Sequence, residues 1–157
     1  ITFADNYEGF WLRGYPVLKA EHIPVAMFVH TDYVGDRAHG RPKMTWAQLK
    51  LLDKEGLVTV ASQTLSHPAD IGELPQDVQW QELTKSKAKL EAELGHRILY
   101  LAYPNGKFSE LSERLAQQAG YAMAFSEVTR PADQSPSILA VNRYVHTKYR
   151  KAFADGR

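Results

Sequence analysis

Cysteine is absent from this 157-residue chain, which excludes disulfide bonds and thiolate metal ligands together. Any metal it binds must be held by His, Asp, Glu or an amide. The absence fits an oxidising compartment without demonstrating one, because many cytosolic domains also lack cysteine. No apolar run approaches the roughly 20 residues needed to span a bilayer, so no transmembrane segment is expected. Net charge is nearly absent as well: 19 Lys and Arg stand against 18 Asp and Glu, leaving +1. Such a balance gives no general attraction for nucleic acid, and the basic tail over 148–157 is too short to change that. No nucleic-acid partner is therefore expected. Internal repeats and low-complexity segments are missing too. What is present is 44% hydrophobic residues, enough at this length for one domain with a real core, expected over 1–157. The first residue already falls in a strand pattern, which leaves no room for a signal peptide. Further N-terminal and C-terminal segments of a full-length protein are compatible with this reading.

Strand and helix patterns alternate along the chain. Residues 1–4 read as the end of a buried strand, and 7–21 as a helix with Phe10, Trp11, Tyr15 and Leu18 at helical spacing, kinked or restarted at Pro16. The run 23–29 is a continuous apolar strand, as expected where both faces are covered. Thr45 caps a helix through Glu55 that Gly56 stops, and 57–61 is a third strand. A long charged helix over 76–94 ends at Gly95. A strand at 98–102, a helix at 111–119 stopped by Gly120, a strand at 121–125 and a sixth strand at 138–141 complete the series. Alternation of this kind predicts an α/β fold with a parallel sheet and helical crossovers, open or closed into a barrel. Trp11, Trp46 and Trp80 fall on apolar helical faces and read as core.

Two segments carry candidate chemistry. Thr2-Phe3-Ala4-Asp5-Asn6 follows the first strand and Ser62-Gln63-Thr64-Leu65-Ser66-His67-Pro68 follows the third, at strand ends where α/β barrels gather their reactive groups. An Asp with two imidazoles four residues apart would hold a divalent cation with open coordination positions. Such a cation activates water and polarises a carbonyl. Here the spacing survives as Gln63 and His67, and an amide oxygen is a weaker ligand than imidazole for a zinc-like ion. His22, His30, His39 and His96 show no ligand spacing to one another. Nothing promotes Asp32, Asp36 or Asp70 to a substitute ligand or base.

These segments resemble the NodB-like polysaccharide deacetylases, whose first two signatures read TFDDG and an SHTxxHP-like string with two His. The flanks agree: Tyr7-Glu8-Gly9, Tyr15-Pro16-Val17-Leu18-Lys19, the strand over 23–29 and Thr45-Trp46-Ala47-Gln48-Leu49 all have counterparts. Leu101-Ala102-Tyr103-Pro104-Asn105-Gly106 is similar to the AYPxG motif along one side of the groove. The resemblance implies a distorted (β/α) barrel of about seven units. It also implies metal-dependent hydrolysis of N-acetyl groups on an N-acetylglucosamine-containing polysaccharide, in the cell envelope or secreted.

Residue by residue, the resemblance makes Asp5 and His67 metal ligands and puts Gln63 where a second His should be. Ala4 occupies the position of the general base. Arg143 resembles the Arg that orients that base. His146 lies roughly where the general-acid His is sought, although its local sequence does not match, and a surface His is the plainer reading. Tyr103, Pro104 and Asn105 would bind substrate, with a backbone amide near Asn105 meeting the oxyanion. With base and one ligand replaced, the expectation is a divalent metal bound weakly or not at all and activity weak or lost. The alternative is a non-catalytic carbohydrate-binding pseudoenzyme. Oligomeric state is not encoded in any of these signals.

Overall fold

The computed structural model describes residues 1–156. Five parallel strands form one curled sheet in the order of the chain: β1 (Thr2–Phe3), β2 (Val25–Val29), β3 (Val58–Ser62), β4 (Tyr100–Ala102) and β5 (Met123–Phe125). The register runs through Phe3 opposite Met27, Val29 opposite Ser62, Ser62 opposite Leu101, and Ala102 opposite Phe125. Side chains alternate across each strand, which divides the interior in two. On the outer face Met27, Val29, Val58, Val60 and Leu101 pack beneath helical Leu49, Leu52, Leu83 and Leu90. Each such side chain contributes about 1.5–3 kcal/mol by leaving water. On the inner face Phe28, Ala61 and Ala102 pack with Ala4, Ala26 and Phe125. Alanine at most of these inner positions lets two rings, Phe28 and Phe125 with centroids 5.4 Å apart, fill the curl.

The helices follow their sequence signals where caps are strong. Thr45 and Gln48 form a capping box at the start of α2 (Trp46–Glu55), and Gly56 ends it at φ 79°. The long helix α3 (Gln76–Leu94) stops at Gly95, also φ 79°. The first helix, α1 (Tyr15–Ala20), is shorter than the expected 7–21, because the preceding turn Phe10–Gly14 is π-helical and Pro16 restarts the chain as α-helix. Helix α4 (Glu110–Gln118) crosses between β4 and β5, and α5 (Tyr149–Asp155) lies in the C-terminal tail.

Two expectations are corrected. The sixth strand is a single parallel bridge between Phe125 and Val141. Side chains there take over backbone partners: Ser135 Oγ accepts from Asn142 N at 2.8 Å and Ser137 Oγ from Leu139 N at 3.0 Å. The curled sheet thus has five strands and a bridge among the described residues. Trp80 is exposed, not core. The buried face of α3 is Gln79, Leu83, Ser86 and Leu90, and Trp80 lies about 100° off it.

Candidate metal centre

Parallel neighbours end at the same edge of a sheet, so the loops after β1, β2 and β3 emerge side by side. The chain leaves β1 at Asp5, β2 at His30 and β3 toward His67. One ligand-type atom from each of Asp5, His30 and His67 lies within 4.8 Å of the others. His67 Nε2 is 3.4 Å from Asp5 Oδ1. The His30 ring stands edge-on to that of His67, with centroids 5.1 Å apart at 75°, and also meets Tyr33 at 5.2 Å. His30 is 7% exposed, and neither of its ring nitrogens has a hydrogen-bond partner. Burial, then the charges of Lys43 and His67, push its pKa down to about 4 against the opposing pull of Asp5, so the ring is neutral near pH 7.

The loops are held by contacts to the main chain. Thr31 N donates to Thr64 O at 3.3 Å and Asp32 N to Leu65 O at 3.0 Å, tying the His30 loop to the His67 loop. Glu82 reaches out of α3, where its carboxylate accepts from Leu65 N and Ser66 N at 2.9 Å each and from Ser66 Oγ at 2.6 Å. Lys43 Nζ, over the Tyr7 ring at 3.8 Å, donates to Asp5 O at 2.9 Å. Burial lowers the Lys43 pKa from its usual value, opposed by Asp5 and Asp36. Asp5 (φ 67°), Thr64 (φ 67°) and His67 (φ 57°) all sit in the left-handed region. For a β-branched residue such as Thr64 this is strained by about 1–3 kcal/mol, and such strain gathers where a site must hold its shape.

Gln63, the expected weak ligand, is buried, and its Oε1 accepts from Asp5 N at 2.9 Å. It fixes the backbone of Asp5. A cavity of about 440 Å³ beside Asp5 is lined by Ala4, Asp5, Glu127, Arg143, Tyr144 and His146 among others. Arg143 spans the open edge of the barrel: Nε donates to Ser126 O at 2.8 Å and Nη1 to Thr2 Oγ1 at 3.3 Å. Its guanidinium lies over Phe28 at 5.2 Å. Nη2 is buried and makes no hydrogen bond, the Glu127 carboxylate standing 3.5 Å away as an ion pair only. Burial lowers the pKa of Arg143, offset by Glu127 and Asp5. His146 is an exposed residue of a short 3₁₀ turn at the rim of this cavity.

The three expected substrate contacts differ in exposure. Tyr103 and Pro104 are both buried. Tyr103 stacks on Phe108 at 4.5 Å and donates its hydroxyl to Leu139 O at 3.0 Å, which anchors the C-terminal segment. That burial raises its pKa. Asn105 remains exposed at φ 54°, donating Nδ2 to Ala69 O at 3.0 Å. Sequence reasoning missed His30, Lys43 and Glu82. The signal for His30 was its place directly after β2, equivalent to that of Asp5 after β1. Glu82 and Lys43 were indistinguishable from solvated surface charges.

The donor set of two imidazoles and one carboxylate suits a borderline divalent cation such as zinc. The unpartnered His30 nitrogens fit the same group, because an imidazole buried without a partner is otherwise unfavourable.

With this geometry in place, likeness to known proteins becomes interpretable. A relative from Bacillus subtilis (strain 168), YxkH, itself named for the polysaccharide deacetylases, is 27% identical over 143 residues, covering 91% of this chain and 49% of its own length. The chain thus spans about half of that curated relative. The structure of Streptococcus pyogenes deacetylase PplD in complex with acetate matches with a TM-score of 0.83 at 25% identity, over 91% of this chain and 62% of that one. The structure of IcaB from Ammonifex degensii matches with a TM-score of 0.85 at 25% identity, over 98% and 70%. Both share the distorted barrel seen here as a curled parallel sheet. The family model described as polysaccharide deacetylase matches residues 1–124. Since that match takes in every strand from β1 into β5, the chain belongs to the polysaccharide deacetylase family.

Proposed function

We propose that this chain binds an N-acetylglucosamine-containing polysaccharide across the strand ends and hydrolyses its N-acetyl groups slowly, as a deacetylase-family domain that lacks its general base. Asp5 and His67 are the ligands its motifs supply for a divalent cation, which when bound would polarise the acetamido carbonyl and acidify the attacking water. Hydrolysis breaks the carbonyl carbon to nitrogen bond, releases acetate, and needs a group to take a proton from that water and another to give one to the leaving amine. At position 4 there is only the methyl group of Ala4. Arg143 is a cation and cannot accept the proton. Besides Asp5, the carboxylate lining the cavity is that of Glu127, already paired with Arg143.

The observation that carries this reading is the buried Arg143 Nη2, which has no hydrogen-bond acceptor beside a residue-4 side chain too short to provide one. Loss of a general base costs about 10²–10⁴ in rate. A non-catalytic carbohydrate-binding role is favoured by one observation: Ala4 is packed into the apolar inner cluster with Phe28 and Ala61. Acetate release from acetylated chitooligosaccharides, measured on this chain and on Ala4→Asp, separates the two readings. Slow release that Ala4→Asp accelerates supports the first. Sugar binding followed by tryptophan fluorescence, with no release from either protein, supports the second.

A polymer of this kind places the protein in the cell envelope or outside the cell. Among the described residues no helix is long and apolar enough to cross a membrane.

A further inference from the structure

We infer that His30 supplies the third metal ligand, so that the cation-binding set of this chain is Asp5, His30 and His67, one from the end of each of three adjacent strands. The inference rests on the reading above that a divalent cation belongs at this site, and it concerns which residue completes the set. Position 63 carries an amide, and that amide is committed: Gln63 Oε1 accepts from Asp5 N at 2.9 Å. Gln63 is therefore a positioning residue for Asp5.

Three independent features place His30 in the vacated role. Its ligand atom lies with those of Asp5 and His67 inside a 4.8 Å spread. Its side chain is nine-tenths buried with both ring nitrogens unpartnered, an arrangement that folded proteins tolerate rarely and that a ligand resolves. Its backbone is not free to drift, because Thr31 N and Asp32 N donate to Thr64 O and Leu65 O of the loop that carries His67. The set holds two nitrogens, one carboxylate and no thiolate, which selects zinc, cobalt(II) or nickel over magnesium and calcium. Lys43 brings a cation near, and its Nζ is bound to the Asp5 carbonyl and faces the Tyr7 ring.

The test uses the whole chain, stripped with chelator and titrated with zinc and, for its visible spectrum, with cobalt(II). One cation per chain is expected. Loss of partners that merely orient a ligand costs about 10- to 100-fold in affinity, so His30→Ala, which removes a ligand itself, is expected to weaken binding by about 100-fold or more. His22→Asn, at an exposed His, should leave it unchanged. The double variant His30→Ala with Gln63→His should regain affinity, a rescue that a purely structural role for His30 would not give. In the unsubstituted protein, ring ¹⁵N signals of His30 and His67 should move together on zinc addition while that of His22 stays. A His30 signal that stays put, a folded protein that takes up no cation, or undiminished affinity in His30→Ala would overturn the inference. Tryptophan-detected sugar binding by the metal-free chain tests the carbohydrate reading separately, so failure of one is distinguishable from failure of the other.

Discussion

Gln63 and Ala4, the two departures from the family signatures, sit in different surroundings. On the metal side, position 63 has no imidazole, yet Gln63 is bonded into the Asp5 backbone and His30 stands within ligand reach. On the base side, position 4 has no carboxylate, and what remains is a buried guanidinium nitrogen without a hydrogen bond, above an apolar interior. One side has closed around its substitution and the other has been left open. Under the proposed function, cation binding and turnover are therefore separable, because they depend on different residues around Asp5.

The largest expected effect comes from refilling the open side. Ala4→Asp puts a carboxylate into the cavity that holds Arg143, and should raise acetate release by about 10²–10⁴, or roughly 3–5 kcal/mol of barrier. Gln63→His alone should do far less, since the metal side already has its third ligand. Equal gains from the two single substitutions would break the comparison by showing that both sides are deficient.

Glu82 tests whether the closed side is rigid for the reason given. Its carboxylate satisfies two backbone amides and one hydroxyl of the loop before His67, and leaving a buried donor unsatisfied costs about 1–3 kcal/mol. Glu82→Ala should lower unfolding free energy by about 3 kcal/mol in urea and loosen cation binding. Unchanged cation affinity in a destabilised protein would mean that the loop is shaped by something other than α3.

Much of the fold was legible because its signals are local. The Thr45 and Gln48 box, Gly56 and Gly95 each fix a boundary by their own chemistry, and α2 and α3 fall where those residues place them. The sixth strand failed where seryl oxygens compete with the ladder for backbone amides, a contest that apolar patterning does not register. Within the site, Asp5 and His67 could be read because a motif marks them. His30 carries no motif, only its strand-end place, and its approach to them is a product of parallel strand register, 37 residues before His67 in a chain with no regular spacing between them. Tyr103 is the opposite case: a motif residue expected at the groove is fully buried, which its local sequence does not announce.

A smaller effect is expected at Tyr103. Tyr103→Phe removes one buried hydroxyl donor and leaves Leu139 O without it, for an expected loss of about 1 kcal/mol in urea denaturation. Sugar binding should be unaffected. A clear loss of sugar affinity at unchanged stability would return Tyr103 to the groove and move the boundary of the site toward β4.

The smallest effect guards the comparison against misreading, because the metal side contains histidines and its pH dependence is easily confused with that of the rest of the molecule. His96, far along the chain at the end of α3, donates Nδ1 to Arg97 O at 3.1 Å and Nε2 to Asp53 at 2.8 Å. The Arg97 carbonyl first and Asp53 second raise its pKa above the usual value of 6.5. A His whose folded pKa is raised contributes stability that is fully present below its unfolded pKa, about 6.5, and that disappears as pH rises through the higher folded value. The ring is half exposed, so solvent screening holds the gain to a few tenths of a kcal/mol. His96→Gln should abolish that small decline above about pH 6.5 while leaving cation affinity across the same range unchanged. If cation affinity changed with it, the pH dependence of the site would reach beyond the three strand ends, and the two-sided description would need a third element.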